Sequence, residues 1–115
     1  MTISKKVIYI AGKMTGEPDM GRAKFNKMEK KIKASGHIPL NPARLPQGMP
    51  RERYMPICMA MIDKCDAIMM LDNWQQSPGA ILEREYARYQ GKSILYQKGC
   101  VFRDDHRKYA PEMGT

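Results

Sequence analysis

The chain has 115 residues, 43% apolar and 28% charged, which is the size and composition of one soluble globular domain and not of a disordered chain. No apolar run approaches the ~20 residues of a membrane span, and the polar start Met1–Lys6 leads into a strand-like run and not into a signal peptide, so membrane insertion and secretion are not expected. The net charge of +8 sits in the first half: residues 1–50 hold ten Lys/Arg against three Asp/Glu, and residues 51–115 hold ten against nine. A basic chain attracts anionic partners such as nucleotides or nucleic acid.

Lys6–Ala11 ends in VIYIA, an apolar β-branched run suited to a strand buried on both faces. Gly12–Asp19 is a loop with Gly12, Gly16 and Pro18 as breakers. From about Met20 to Ser35, Phe25, Met28 and Ile32 recur at helical spacing, and Gly36 caps the helix. Lys24, Lys27, Lys30, Lys31 and Lys33 cover the rest of its circumference and read as a solvated face, which disfavours a nucleic-acid partner. His37–Leu40 is a short strand, and residues 41–50, with Pro42, Pro46, Gly48 and Pro50, are a loop. A helix starts at Met55 or Pro56 and runs to about Lys64. Its body, Ile57–Ile62, is apolar almost all round and needs cover on two sides, one from the sheet and one from a second subunit, so a homodimer or higher homo-oligomer is expected. Asp66–Leu71 is the third strand, and Asp72–Ser77 is a loop holding the single tryptophan, Trp74. Ser77 as N-cap and Pro78 at the first position open a helix that runs to about Gln90, closed by Gly91. Lys92–Tyr96 is the fourth strand. Residues 1–96 thus form the domain, and residues 97–115 are its polar C-terminal tail.

Strands alternating with helices at this spacing define a flavodoxin-like, three-layer α/β sandwich with a four- to five-stranded parallel sheet in the order 2-1-3-4. Ligands of such sheets bind at the switch point, beyond the ends of strands 1 and 3. The chemistry is therefore expected in the loops Gly12–Asp19 and Asp72–Gly79. Gly12, Lys13, Met14 and Thr15 in the first can wrap an anionic group with backbone N–H donors, or can simply form a tight turn. Ser77 and Gly79 in the second open a helix, where a free N-terminus suits a phosphate, although Ser77 also serves as an ordinary cap.

On a 3.6-residue period Ala80, Glu83 and Ala87 share one stripe of the third helix, while Arg84, Glu85 and Arg88 read as solvated. Glu83 can therefore point into the crevice or pair with a cation at the surface; buried carboxylates are rare unless paired or functional. Cys58, Cys65 and Cys100 form no C-x-x-C pair and suit reduced thiols in a cytoplasm. His37 and His106 stand at no ligand spacing from a cysteine or from each other, so no metal and no other cofactor is expected.

The strings YIAGKMTG, NPARLPQG, CDAIMMLDNW and S-P-G-A-x-x-E, in this order across residues 6–96, resemble the nucleoside 2-deoxyribosyltransferase-like superfamily. Within it the chain is most similar to a small branch found in phage and prophage genomes. The resemblance implies a Rossmann-like domain acting on the N-glycosidic bonds of nucleosides or nucleotides, with a site completed across subunits. Glu83, six residues after Ser77, matches the nucleophile that attacks C1′, and Tyr9 matches the tyrosine that orients it. A retaining, two-step mechanism follows. Gly12, Lys13, Met14, Asp72, Trp74, Ser77 and Gly79 are the candidate substrate contacts. Members with Ser at the Ser77 position hydrolyse nucleoside 5′-monophosphates, whereas transferases between free nucleosides carry Asp there. Where the superfamily has its general acid, eight residues before Asp66, this chain has Cys58. A thiol protonates a departing base poorly, so a nucleotide-binding protein that no longer cleaves its ligand is the alternative to an N-glycosidase.

Overall fold

A computed structural model describes residues 5–98; of the C-terminal tail, residues 99–115 lie outside the described residues. Strand β1 (Val7–Ala11) is followed by a 3-10 turn at Pro18–Gly21 and helix α1 (Arg22–Ala34). Strand β2 (Ile38–Leu40) leads through a second 3-10 turn (Pro42–Arg44) into helix α2 (Arg51–Asp63). Strand β3 (Ala67–Met70), a 3-10 turn at Trp74–Gln76, helix α3 (Pro78–Tyr89) and strand β4 (Ser93–Tyr96) complete the described chain.

The sheet is parallel throughout and runs β2-β1-β3-β4, as the connection rules require. The alternation of side chains along β1 divides the core. Ile8 and Ile10 pack with Phe25, Met28 and Ile32 of α1 on one face. Tyr9 and Ala11 face the other way, onto Cys58 and Ile62 of α2 and Ala80 and Ala87 of α3. The first crossover therefore covers one face and the next two cover the opposite one, which opens the crevice between the C-terminal ends of β1 and β3. No helix among the described residues is long and apolar enough to cross a membrane.

Three expectations are corrected. Helix α2 starts at Arg51 and not at Met55 or Pro56. Pro50 provides the extended N-cap and the polar turn Arg51–Tyr54 is helical, so Pro56 lies inside the helix instead of opening it. Helix α1 starts at Arg22, because Asp19 and Met20 take left-handed conformations (φ 49° and 55°) that no helix continues. Arg84, read as solvated, is 1% exposed. Its Nε donates to the Tyr96 hydroxyl at 2.8 Å, and its guanidinium lies 5.5 Å from the centre of the Trp74 ring, where cation–π attraction replaces part of the lost hydration.

Candidate active site

Tyr9 lies in the middle of the sheet with no exposed surface. Its hydroxyl donates to Glu83 Oε2 at 2.8 Å, across 74 residues of chain. Glu83 gets there because Ser77 fixes the start of α3: the Ser77 hydroxyl accepts from the Ala80 N–H at 3.1 Å, and Pro78 fits the first helical position. The stripe Ala80–Glu83–Ala87 then faces inward, with small residues on either side of the carboxylate. Cys58 reaches the same cleft from α2 and lies buried in the cluster that holds Tyr9.

Burial governs the protonation of this group. Glu83 is 8% exposed, and desolvation lifts its carboxyl from 4.5 to about 7, against the opposing pull of hydrogen bonds from Tyr9 and Cys58. Burial pushes the Cys58 thiol to about 11 and, with the neighbouring Glu83 charge, holds the Tyr9 hydroxyl well above its ordinary value. The thiol is therefore neutral at pH 7, while the carboxyl is close to half ionised.

These three side chains lie at the floor of a cleft of about 540 Å³. One wall is the loop after β1. Gly12 is essential to it, since a Cβ there would stand 2.7 Å from Leu71 Cδ1 and 2.9 Å from Leu71 Cβ. The Lys13 N–H donates to Asn73 Oδ1 at 3.0 Å and ties this loop to the end of β3. The opposite wall is the loop after β2. Asn41 caps its turn through Ala43 N at 2.9 Å and donates to Glu29 at 3.0 Å. Arg44 grips both oxygens of Glu29, and this pairing holds the Glu29 carboxyl at about 2. The loop so anchored presents Leu45, Gln47 and Met49 to the cleft.

Of the residues singled out in the sequence, Tyr9, Gly12, Lys13, Met14, Ser77, Gly79 and Glu83 all line the cleft. Asp72 and Trp74 do not. Asp72 turns toward α1 and pairs with Lys24, and its N–H donates to Gln97. Trp74 is 2% exposed and packs 6.1 Å from the Tyr96 ring. Sequence reasoning did not assign Arg22, Phe25, Tyr54 or Met55, which also line the cleft. The string NPARLPQG reads in the sequence as a loop and as part of the resemblance, not as a wall of the cleft; Glu29, 15 residues before Arg44, anchors it through Arg44 and Asn41.

The fold and site define a doubly wound α/β protein with a buried, tyrosine-bound carboxylate at the switch point of its sheet. Residues 6–96 match the model of the family described as domain of unknown function DUF4406, and the chain belongs to that family. Among solved structures, the chain is similar to a 2-desoxiribosyltransferase from Leishmania mexicana, with 29% identity and a TM-score of 0.66 over 79% of this chain. It spans 63% of that chain's length. It also shares its fold with the CMP N-glycosidase BcmB from Clostridium botulinum, with 20% identity, a TM-score of 0.56, and coverage of 79% of this chain and 70% of that one. No curated protein matches.

Proposed function

We propose that the protein is an N-glycosidase of nucleoside 5′-monophosphates, related to deoxyribosyltransferases, that works by a retaining mechanism with Glu83 as nucleophile. The observation that carries this reading is the 2.8 Å bond from the Tyr9 hydroxyl to Glu83 Oε2 at the floor of the cleft. The bond holds one carboxylate oxygen and leaves the other to attack C1′. The C1′–N bond breaks as a glycosyl ester forms, and water or a second base then resolves the ester. The activities named for the two similar structures support this class of chemistry.

The cleft also suits a 5′-phosphate. The Ser77 hydroxyl accepts from Ala80 N–H and keeps its own proton to donate, at the positive end of α3. Lys13 stands on the facing loop of the same cleft. The specific observation favouring the alternative, a nucleotide-binding protein that does not cleave, is the Cys58 thiol, which at about 11 is a poor acid for a departing base.

Chromatography of nucleoside 5′-monophosphates after incubation with the protein tests both readings. The expected result is free base released by the parent chain and none by Glu83→Gln. Nucleotide binding without release would favour the alternative. A nucleic-acid binder would instead keep its affinity in Ser77→Ala and lose it with salt.

On the same reading the protein works in a cytoplasm, belongs to the branch found in phage and prophage genomes, and forms a homodimer. Ile57 on α2 and Ile81 and Leu82 on α3 are 36%, 40% and 50% exposed, an apolar surface that a second copy would cover. Light scattering at tens of micromolar should give twice the monomer mass; a monomer would refute the dimer.

A further inference from the structure

We propose that the site takes nucleotides whose base is already cationic while attached to the sugar, a pyridinium or an N7-alkylated purine, so that the base leaves neutral without receiving a proton. This rests on the reading of Glu83 as nucleophile and adds to it the class of leaving group.

The acidic protons at the cleft floor are already committed. The Tyr9 hydroxyl donates to Glu83. The Tyr54 hydroxyl donates to the Pro46 carbonyl and accepts from Met49 N. The Cys58 thiol is buried, and burial pushes it up to about 11. Among the described residues lining the cleft, Glu83 is the only carboxylate and there is no histidine. The Ser77 and Thr15 hydroxyls are ordinary alcohols, and the Lys13 ammonium is paired with Glu17 at 3.4 Å. An uncharged base such as cytosine or guanine leaves as an anion unless an acid meets it, and a positioned acid is worth about 10²–10⁴ in rate. A cationic base does not need that help.

Two features favour a cationic ring directly. Glu83 loses half its charge to burial at pH 7, and a positive ring docked beside it would restore that charge, so substrate binding itself would activate the nucleophile. The walls above it carry Phe25, Tyr54, Met14 and Met55, aromatic and thioether groups that suit a flat cation.

The step balances within this chain and water. A Glu83 oxygen bonds C1′, and the C1′–N bond breaks with its electron pair staying on the ring, which cancels the ring's charge. Water then bonds C1′, the ester pair returns to Glu83, and the water's proton passes to solvent.

The test compares nicotinamide mononucleotide and 7-methylguanosine 5′-monophosphate with CMP and GMP. Base release is measured for parent and Glu83→Gln, and each rate is divided by its uncatalysed rate. The expected result is an enhancement roughly a hundredfold larger for the cationic pair, in line with the acid the site lacks, and lost in Glu83→Gln. In Cys58→Asp, whose folding a melting curve checks, the gap should narrow by about tenfold or more, because a carboxylic acid now faces the neutral base. If that variant does not fold, the parent comparison decides alone. Equal enhancement on both pairs, with Glu83→Gln inactive, overturns the leaving-group inference and leaves the nucleophile standing. Release that survives Glu83→Gln, or no release from any of the four, overturns the underlying reading as well.

Discussion

Replacing Glu83 by glutamine is predicted to stabilise the protein at neutral and alkaline pH. The native carboxyl titrates at about 7 because it is buried, whereas the unfolded chain releases the same proton near 4.5. Between these values the native state holds a proton that the unfolded state has lost. Stability therefore falls as pH rises through this window. At about 1.4 kcal/mol per pH unit, the ionised carboxylate costs the fold about 3 kcal/mol once the pH is well above 7. Glutamine preserves the shape, can accept the Tyr9 hydroxyl proton, and carries no charge to desolvate. Parent and variant should match near pH 4.5, and at pH 8.5 the variant should be the more stable by about 3 kcal/mol, or about 10 °C in Tm for a domain of this size. Urea unfolding at both pH values, followed by the fluorescence of the single tryptophan, Trp74, measures the difference. A gain of equal size at both pH values, or a loss at pH 8.5, would refute the assignment of a desolvated charge to Glu83. A carboxylate kept at this expense is the trade of stability for activity expected of a functional group.

Further predictions concern the groups around this carboxylate. Tyr9→Phe removes a hydrogen bond that pulls the Glu83 value down, so the midpoint of the pH–rate profile for base release should move upward from about 7; an unchanged midpoint would contradict the Tyr9–Glu83 bond. Arg44→Ala frees Glu29, whose carboxyl Arg44 holds at about 2, and should loosen the second wall, raising KM more than it lowers kcat. The Glu29 pairing stabilises the fold above pH 4.5 and fades as pH falls toward 2, so parent and Arg44→Ala should converge in acid when melted side by side. A difference between the two that does not shrink as pH falls from 4.5 to 2 would show that the Glu29 pairing is not its source.

The layered fold was legible because its signals are local. Apolar β-branched runs mark β1, β3 and β4, Gly36 and Gly91 mark helix ends, and crossover handedness leaves few strand orders. Glu83 was legible only as one of two alternatives, aimed into the crevice beside Ala80 and Ala87 or paired with a cation at the surface, and its burial decides for the first. Arg84, one residue on, was not. A helical period predicts which side faces the sheet, but the shelter of Arg84 comes from Trp74 and Tyr96, which are brought to it by the turn after β3 and by β4. The start of α2 was missed for a different reason. Pro56 has the ordinary signature of a helix start, and Pro50, six residues earlier, has the same one. The second wall depends on Glu29 reaching Arg44 across a strand and two turns, and no sequence period reports such a contact.

The residue that departs from the superfamily pattern also fixes how the site should respond to pH. A carboxylic acid at position 58 would put two carboxyls in one buried pocket, and their repulsion would drive their titrations apart, giving a rate profile with two limbs. With Cys58 there, Glu83 has no second carboxylate at the cleft floor, and the thiol beside it titrates only near 11. For a cationic nucleotide, kcat/KM, which reports the free enzyme, should therefore rise through a single midpoint near 7 and stay level to at least pH 9. A profile that falls again between pH 7 and 9 would demand an acid that the described cleft does not contain.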